Sequence, residues 1–294
     1  MAAKSLITTR FDATSTAADV VRGVDLSGRH VLVTGASSAV ADRIAASTGR
    51  SRPRVRALDL ADLASVASLV SQWDLPLDIL VNNAGLVTAG LERTRPGWEL
   101  QFATNHLGHF ALALGLQSHL AATADARGGS RIVALSSTAH MRAPVDFDDI
   151  HFERRACDPQ ISYAQSKTAN SLFAVEATKR WQADGIVANA VNPGGVATDL
   201  QRNFSATQRE SLDAAEAAGV FTYKTIGQGA ATTLVAAIAP EFAGVGGRYL
   251  DDCREAYTVA DDATVAEHPH GVKQWALDPS AADQLWRRSL DMTI

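Results

Sequence analysis

Cysteine is scarce in this chain of 294 residues, which has only Cys157 and Cys253 and no CxxC pair. Two cysteines in a chain of this length do not make a disulfide framework, so we expect reduced thiols and a cytoplasmic protein. Long apolar runs are missing as well, and no stretch reaches the roughly 20 apolar residues of a membrane span. The N-terminal segment also lacks the apolar centre of a signal peptide. The composition therefore predicts a soluble protein.

Clusters of basic residues are absent too, because lysines and arginines are scattered through a chain whose formal net charge is −5. This pattern favours neither a nucleic-acid nor a membrane partner. His106 and His109 lie on a predicted helix, and His268 and His270 lie in a polar loop. Neither pair comes with a cysteine or carboxylate set at zinc spacing, so we expect no metal site. The absence of a GxSxG turn argues against an α/β hydrolase.

Short runs rich in valine and isoleucine alternate with stretches that are apolar at helical spacing. The predicted strands are residues 30–35, 55–60, 79–83, 131–137, 186–192 and 247–250, and the predicted helices include 60–73, 98–122, 163–184 and 226–238. This alternation predicts crossover units and a parallel sheet with helices on both faces. Because no linker or change of composition divides the chain, we predict one domain over 1–294, in which residues 1–28 are an N-terminal extension.

Small and polar residues stand at the ends of the predicted strands. Thr34 ends the first, and Asp59, Asn83, Ser137 and Asn192 stand at the ends of others. Ligands of an open parallel sheet bind outside the carboxyl ends of its strands. We therefore expect the functional site at this edge of the sheet.

A tyrosine and a lysine four residues apart supply candidate acid-base chemistry. Tyr163 and Lys167 lie on one face of a predicted helix, one turn apart. A phenol has a pKa near ~10 and works at neutral pH only if a nearby cation favours its phenolate, and Lys167 is such a cation. Ser137 can donate a hydrogen bond to a substrate carbonyl, and Asn105 lies within the preceding predicted helix. The spacing alone also fits a tyrosine packed on a lysine stem.

With these residues the chain resembles the short-chain dehydrogenase/reductase family. The matching positions, in the family's order, are Thr34, Gly35, Asn82, Asn83, Ala84, Gly85, Asn105, Ser137, Tyr163, Lys167, Pro193 and Gly194. The stretches NHLGHFALA, SSTAH and FDDIHFERR resemble the retinol-dehydrogenase-like and WW-domain-oxidoreductase-like branch, including its actinobacterial members. The resemblance spans residues 11–290 and implies an α/β fold with a Rossmann-like, doubly wound parallel sheet in three α/β/α layers.

The resemblance implies an NAD or NADP cofactor and hydride transfer to or from a lipophilic alcohol, aldehyde or ketone. It implies that Tyr163 donates or accepts the proton, that Lys167 lowers the pKa of this phenol and binds the nicotinamide ribose, and that Ser137 holds the reacting oxygen. Asn105 would keep a water-linked proton relay in place. The implied cofactor-binding residues are Thr34, Gly35, Ser37, Ser38, Asp59, Leu60, Asn83, Ala84, Gly85, Tyr163, Lys167, Pro193, Gly194, Val196 and Thr198.

The resemblance also implies assembly. It points to a homodimer or homotetramer whose subunits meet through the long predicted helices at 98–122 and 163–184. The partners that we expect are therefore a small-molecule substrate and further copies of the same chain.

The segment after the first strand departs from the family. Only 24 positions separate Gly35 from Asp59, too few for a helix, a strand and a second helix before the strand that ends at Asp59. We predict that one β-α unit is missing, with the junction between Ser38 and Ala39. The residue that selects NAD or NADP normally ends the strand that is missing here, so the preference is not readable.

The phosphate-binding turn changes as well. Ala39 and Ala41 stand where the family has glycine, and their methyl groups would obstruct the approach of the backbone to a pyrophosphate. If Ser38 caps the helix, Asp42 falls in its first turn and competes with a phosphate for the positive helix end. The strand at 55–60 must pair with the first strand, or two sheet edges stay open.

Two functions therefore remain open. The four catalytic candidates favour an NAD(P)-dependent oxidoreductase. The lost glycines and the missing β-α unit favour a catalytically impaired pseudoenzyme, a binding or dimerising scaffold that has lost its cofactor. The sequence does not identify the substrate.

Overall fold

A six-stranded sheet forms the centre of the part of the chain that the computed structural model describes, which is residues 5–198, 206–217 and 222–294. The first five strands are parallel and the sixth is antiparallel. The strands lie side by side in chain order: β1 (Val31–Val33), β2 (Ile79–Asn82), β3 (Ser130–Leu135), β4 (Ile186–Val191), β5 (Arg248–Asp251) and β6 (Arg254–Glu255). A separate parallel pair joins β7 (Thr258–Val259) to β8 (Val272–Lys273).

Helices connect these strands, and none in the described ranges is long and apolar enough to cross a bilayer. The α-helices are α1 (Ala17–Val21), α2 (Ser38–Thr48), α3 (Leu63–Ser71), α4 (Leu100–Phe102), α5 (Gly108–Gly115), α6 (Gln117–Arg127), α7 (Pro159–Trp181), α8 (Ala206–Ala217), α9 (Ile226–Ile238) and α10 (Pro279–Thr293). A π-helical turn (Ala103–Leu107) joins α4 to α5, and a 3₁₀ turn (Thr138–Arg142) follows β3.

The sheet is covered on both faces because its residues alternate between two apolar clusters. Leu80 and Ile132 belong to the cluster that includes side chains of α3, α5, α6, α7 and α10. Val81 and Val133 belong to the opposite cluster, which α1 and α9 cover. This arrangement confirms the predicted three-layer α/β/α fold.

Local capping explains where two of the principal helices begin. Asp158 accepts a hydrogen bond from the backbone of Gln160, and Pro159 takes the first position of α7, where its missing N–H is not needed. Thr225 and Gln228 form a reciprocal capping box at the start of α9. The observed bounds of α9 are those predicted from the apolar spacing.

The predicted strand at 55–60 is wrong. Residues 51–59 have no regular structure, and nearly all of them are exposed. Arginines alternate with other residues at positions 52, 54 and 56, and Pro53 has no N–H to donate to a strand. Only Leu58 and Leu60 in this segment are turned toward the core. The β-branched Val55 therefore gains nothing by pairing, and it stays 37% exposed.

Strand β1 is consequently an edge strand, which pairs with β2 alone. Val31 and Val33 are 45% and 46% exposed on it. Between Gly35 and Asp59 the structure contains α2 as its only regular element. The sequence left two possibilities, namely that residues 55–60 pair with the first strand or that sheet edges stay open. The structure shows the second for the edge at β1.

The helix predicted at 98–122 is interrupted. The α-helical spacing predicts one continuous rod, whereas the structure has α4, the π-helical turn, α5 and the start of α6. The N–H of Gly108 donates to Ala103, five residues back, so the turn holds one residue more than an α-helix. The apolar spacing in the sequence does not reveal a single extra residue in one helical turn.

The helix predicted at 163–184 begins earlier, at Pro159, and its outer surface is covered by α10. Trp286 of α10 stacks on Phe173 with an interplanar angle of 3° and packs edge-on against Trp181 with centroids 5.1 Å apart. Nearly every α7 side chain from Ser162 to Thr178 is buried as a result. The surface of α7 that α10 covers is therefore not open to another subunit in this structure.

We predict that Trp286→Ala lowers the free energy of unfolding by about 3–5 kcal/mol, because the large indole leaves a cavity among buried aromatic rings. The exposed neighbour Arg288 supplies the control, and Arg288→Ala should change stability by no more than about 0.5 kcal/mol. Urea unfolding measures both values. A loss below about 1 kcal/mol for Trp286→Ala would show that α10 is not anchored in the core.

Candidate active site

Three of the four catalytic candidates meet beyond the carboxyl end of β3. Ser137 lies two residues after that strand, and its hydroxyl interacts with the phenol of Tyr163 and lowers the pKa of that group. Lys167 lies one turn further along α7, with its Nζ 5.4 Å from the centroid of the Tyr163 ring. The parallel sheet and the start of α7 therefore bring residues 26 to 30 positions apart into one cluster.

The ammonium group of Lys167 is buried in the floor of this cluster. The side chain is 4% exposed, and Nζ donates to the carbonyl of Leu135, the last residue of β3, at 3.0 Å. Asn170 donates to the same carbonyl at 2.8 Å. A β-carbon on Gly85 would lie only 3.6 Å from Nζ, so the lysine reaches the end of β2 as well.

Asn105, the fourth candidate, lies in the π-helical turn and is fully buried. Its Oδ1 accepts from the N–H of Leu86 at 2.9 Å, and its Nδ2 donates to the carbonyl of Leu86 and to Oγ of Ser166. Ser166 donates in turn to the carbonyl of Tyr163 at 2.7 Å. The side chain of Asn105 thus joins the segment after β2 to the first turns of α7.

Burial sets the protonation of the two central groups. It raises the pKa of Tyr163 to about 12, against the hydrogen bond from Ser137, which lowers this pKa. Burial also lowers the pKa of Lys167 to about 8. At neutral pH the phenol therefore keeps its proton, and most of the ammonium is charged. The arrangement suits proton donation by Tyr163.

The turn that carries Ser137 is held by residues that sequence reasoning missed. His140 Nδ1 lies 2.7 Å from the carbonyl of Ser137 and 3.1 Å from the hydroxyl of Tyr249. The backbone of Lys273 donates to Nε2 of the same imidazole, and Trp275 Nε1 donates to the carbonyl of His140. The motif SSTAH contained His140, but contacts to residues more than 100 positions away leave no signal in the spacing.

Two glycines stand in tight turns beside this cluster. Gly35 has a φ of +88°, and a β-carbon there would lie 3.1 Å from the Cα of Ala84 and from Nδ2 of Asn83. A β-carbon on Gly85 would lie 3.3 Å from Oδ1 of Asn105. Asn83 also donates through Nδ2 to the carbonyl of Thr34 at 2.8 Å. Both turns are tight and their glycines are exposed, so a ligand can approach the backbone closely there.

The start of α2 differs from the prediction. Ser37 caps the helix by accepting from the N–H of Val40, and Ser38 is its first residue, so the predicted Ser38 cap is wrong. No acidic residue stands in the first turn, because Asp42 falls beyond it and pairs with Arg52 at 2.5 Å. The predicted competition between Asp42 and a phosphate is therefore also wrong.

The alanines of this helix face different ways. Ala41 is 3% exposed and its methyl group is packed inward, whereas Ala39 is exposed at the start of the helix. Of the two alanines, only Ala39 is placed where its methyl group could obstruct a pyrophosphate. Because Ser37 accepts from the N–H of Val40, the N–H groups of Ser38 and Ala39 remain at the helix start as a suitable anion site.

Asp59 and Leu60 follow the irregular segment. The N–H of Asp59 donates to Oγ of Ser65, and its carboxylate accepts from the N–H of Ala61. Asp59 is exposed, while Leu60 is buried so tightly against α5 that a β-carbon on Gly108 would overlap the Leu60 carbonyl. The segment thus returns to the sheet at the predicted place without forming a strand.

The segment after β4 carries the remaining predicted cofactor residues. Pro193 and Gly194 are half-buried, and Gly194 has a φ of +81°. Val196 forms a bridge with Lys224, whose N–H donates to the carbonyl of Gly195 at 2.7 Å. Thr198 is exposed at the end of the described range. This segment lies beyond the same edge of the sheet as Ser137, because β3 and β4 are parallel neighbours.

One group of possible metal ligands occurs in the described ranges. The ligand atoms of Asp251, Asp252 and His270 all lie within 4.8 Å of one another. His270 Nδ1 contacts both carboxylates, which raises the pKa of this imidazole, and Lys224 pairs with Asp252 at 2.5 Å. The ammonium group of Lys224 thus already pairs with one of the two carboxylates. Sequence reasoning placed His270 in a polar loop and could not foresee carboxylates 18 and 19 positions away.

Comparison with known proteins places this geometry in a family. The family model described as short chain dehydrogenase matches residues 16–209. A "Probable oxidoreductase" of Streptomyces antibioticus is 45% identical over 283 residues, covering 93% of this chain and 92% of that protein. "Retinol dehydrogenase 12" of Mus musculus is 33% identical, covering 86% of this chain and 73% of that protein. A crystal structure of an uncharacterized protein from Mycobacterium paratuberculosis superposes with a TM-score of 0.61 at 28% identity, covering 87% of this chain and 81% of that one.

Proposed function

The chain belongs to the short-chain dehydrogenase family, and from that membership we propose that it is an NAD(P)-dependent oxidoreductase whose proton donor and acceptor is Tyr163. The observation that carries this proposal is the contact of Tyr163 with Ser137 above the buried Lys167. A nicotinamide cofactor supplies or accepts the hydride when it is bound. The residues of this chain orient the reacting groups and manage the proton.

In the reducing direction, a carbonyl carbon gains a hydride and its oxygen gains a proton from the phenol of Tyr163. The hydroxyl of Ser137 donates a hydrogen bond to the same oxygen as negative charge develops there. The cation of Lys167 stabilises the phenolate that remains. Oxidation of an alcohol is the reverse, with Tyr163 as the base.

We propose that the nicotinamide side of the cofactor is bound by residues 83–85, Lys167 and the segment 193–198. Residues Thr34, Gly35, Ser37 and Ser38 would contact its phosphates. Asp59 and Leu60 would lie toward the adenosine. The tight glycine turns and the capped start of α2 support this assignment. The choice between NAD and NADP stays open.

We propose a lipophilic alcohol, aldehyde or ketone as substrate, because a 33% identical relative is named as a retinol dehydrogenase. Both curated relatives described above carry oxidoreductase or dehydrogenase names. No comparison supports the alternative of a cofactor-free scaffold, which we do not propose.

Assembly as a homodimer or homotetramer stays a prediction. Because α10 covers α7, we propose that any such assembly uses other surfaces of the chain. A cytoplasmic location is likewise a proposal, supported by the free thiols of Cys157 and Cys253.

We predict that Tyr163→Phe lowers kcat for carbonyl reduction by about 10²–10⁴-fold, because it removes the proton donor but keeps the ring. The cofactor should bind the variant with nearly unchanged affinity. Tyr257→Phe removes a hydroxyl that is distant from the cluster, on a side chain 39% exposed, and is the matched control. Steady-state rates with NADH and NADPH over a panel of long-chain and aromatic aldehydes and ketones test this. Unchanged turnover in Tyr163→Phe would refute the assignment of the proton donor.

We also predict that carbonyl reduction is lost as the pH rises through about 8. Lys167, with its pKa lowered to about 8, is charged below that pH and neutral above it. The phenol of Tyr163, with its pKa raised to about 12, keeps its proton throughout. The pH profile of kcat/KM reports the free enzyme, and it should be flat below pH about 7.5 and fall above about 8.

The variant Lys167→Met is the comparison for this profile. Its kcat/KM should be low at every pH, without the decline near pH 8. A wild-type profile that stays flat to pH about 10 would contradict the role given to the ammonium group.

A further inference from the structure

The buried imidazole of His109 lies between the turn after β1 and the π-helical turn. His109 is 3% exposed. Its Nε2 lies 2.8 Å from Oγ1 of Thr34, and its Nδ1 lies 3.0 Å from the carbonyl of Asn105. Sequence analysis considered this histidine only as a possible metal ligand. The structure instead places it in contact with two residues predicted to serve the active site.

Counting hydrogen bonds fixes the tautomer of this imidazole. The hydroxyl oxygen of Thr34 accepts from the N–H groups of Asn83 and Ala84, both at 2.9 Å. These two bonds use its acceptor capacity, so its own hydrogen must be donated. The carbonyl of Val81 is 3.5 Å away, whereas Nε2 of His109 is 2.8 Å away. The hydroxyl therefore donates to Nε2, which carries no proton.

The other ring nitrogen leads to the same result independently. A carbonyl oxygen only accepts, so the contact of Nδ1 with Asn105 requires a proton on Nδ1. The imidazole is thus neutral, with Nδ1 as donor and Nε2 as acceptor. Burial agrees with this, since it lowers the pKa of His109 to about 4, and the nearby Lys167 acts in the same direction.

The hydrogen bonds continue beyond His109 to the catalytic tyrosine. Nδ2 of Asn105 donates to Ser166 at 3.0 Å, and Ser166 donates to the carbonyl of Tyr163 at 2.7 Å. The link runs from Thr34 through His109 to the backbone carbonyl of Asn105, and from the side chain of Asn105 through Ser166 to the backbone carbonyl of Tyr163. The turn that contacts the cofactor is thereby connected to the helix that carries the proton donor.

We propose that His109 is a positioning residue for the reaction, fixed by Thr34 in its Nδ1–H form so that it holds Asn105 and, through Ser166, the start of α7 in place beside the cofactor turn. This inference rests on the proposed function. A histidine that only fills space would affect stability, but its Nε2 signal would not respond to the loss of the Thr34 hydroxyl, and its replacement would not change kcat per folded molecule.

The first test is nitrogen-15 NMR of histidine-labelled protein at neutral pH, which does not depend on turnover. The signals of His109 are identified by their loss in His109→Asn. We expect Nδ1 to be protonated and Nε2 to be unprotonated in the wild type and in Thr34→Ser, which keeps the hydroxyl. In Thr34→Val, which removes it, Nδ1 should stay protonated through its contact with the Asn105 carbonyl, and the signal of Nε2 should shift because that nitrogen has lost its hydrogen bond. An Nε2–H tautomer in the wild type, or identical signals in Thr34→Val, would overturn the proposal.

The second test separates the two halves of the link. In His109→Gln the amide oxygen can reach the place of Nε2 and accept from Thr34, but the donor to Asn105 is lost. In His109→Asn the amide nitrogen stands near the place of Nδ1 and keeps that donor. We expect kcat at saturating cofactor to fall at least about tenfold in His109→Gln and less in His109→Asn. His119→Gln on α6 is the matched control and should leave kcat unchanged.

Thermal unfolding of the same variants gives the folded fraction by which kcat is corrected. A His109→Gln variant that turns over like the wild type, while Tyr163→Phe is inactive, would overturn this inference and leave the proposed function intact. A wild type that reduces no carbonyl of the panel would overturn the proposed function and, with it, the positioning role. The NMR result then still shows whether the link from Thr34 to His109 exists.

Discussion

The site depends on one buried cation, the ammonium group of Lys167. A charge removed from water must be compensated by dipoles or by an opposite charge. In the described part of the chain no carboxylate pairs with it, and its hydrogen bond goes to the carbonyl of Leu135 at the end of β3. This compensation is incomplete, which is why burial lowers the pKa of the lysine. A phenolate on the neighbouring Tyr163 would pair with this cation, but burial raises the pKa of that phenol to about 12, so the phenol keeps its proton at neutral pH.

The same constraint explains how much of the site could be predicted from the sequence. Tyr163 and Lys167 lie one turn apart on α7, and helical spacing is local, so their common face could be predicted. Ser137 could be predicted because parallel strands end at one edge of the sheet. The contacts of His140 with Tyr249 and Lys273 could not, since they join residues 109 and 133 positions apart. These contacts depend on tertiary packing, which the spacing of apolar residues in the sequence does not indicate.

The fold was predictable where apolar periodicity was strong, and it was not where charge competed with it. The bounds of α9 follow from its spacing and its capping box. The run at 55–60 has the valine and leucines of a strand, but the arginines at 52, 54 and 56 prefer water. At α2 the cap moved by one residue, from Ser38 to Ser37, because two adjacent serines have equal capping ability and only the backbone angles decide between them.

The two sides of the cofactor region are therefore unequally built. On the nicotinamide side Lys167 and Asn105 are buried, and Gly85 lies close against both side chains. The adenosine side faces an open edge of β1 and an exposed, irregular segment.

The most direct test of the account is a fluorescence titration of the purified chain with NADPH and with NADH. We predict saturable binding of at least one of them, with one molecule per chain. The absence of saturable binding of both at millimolar concentration would contradict the account.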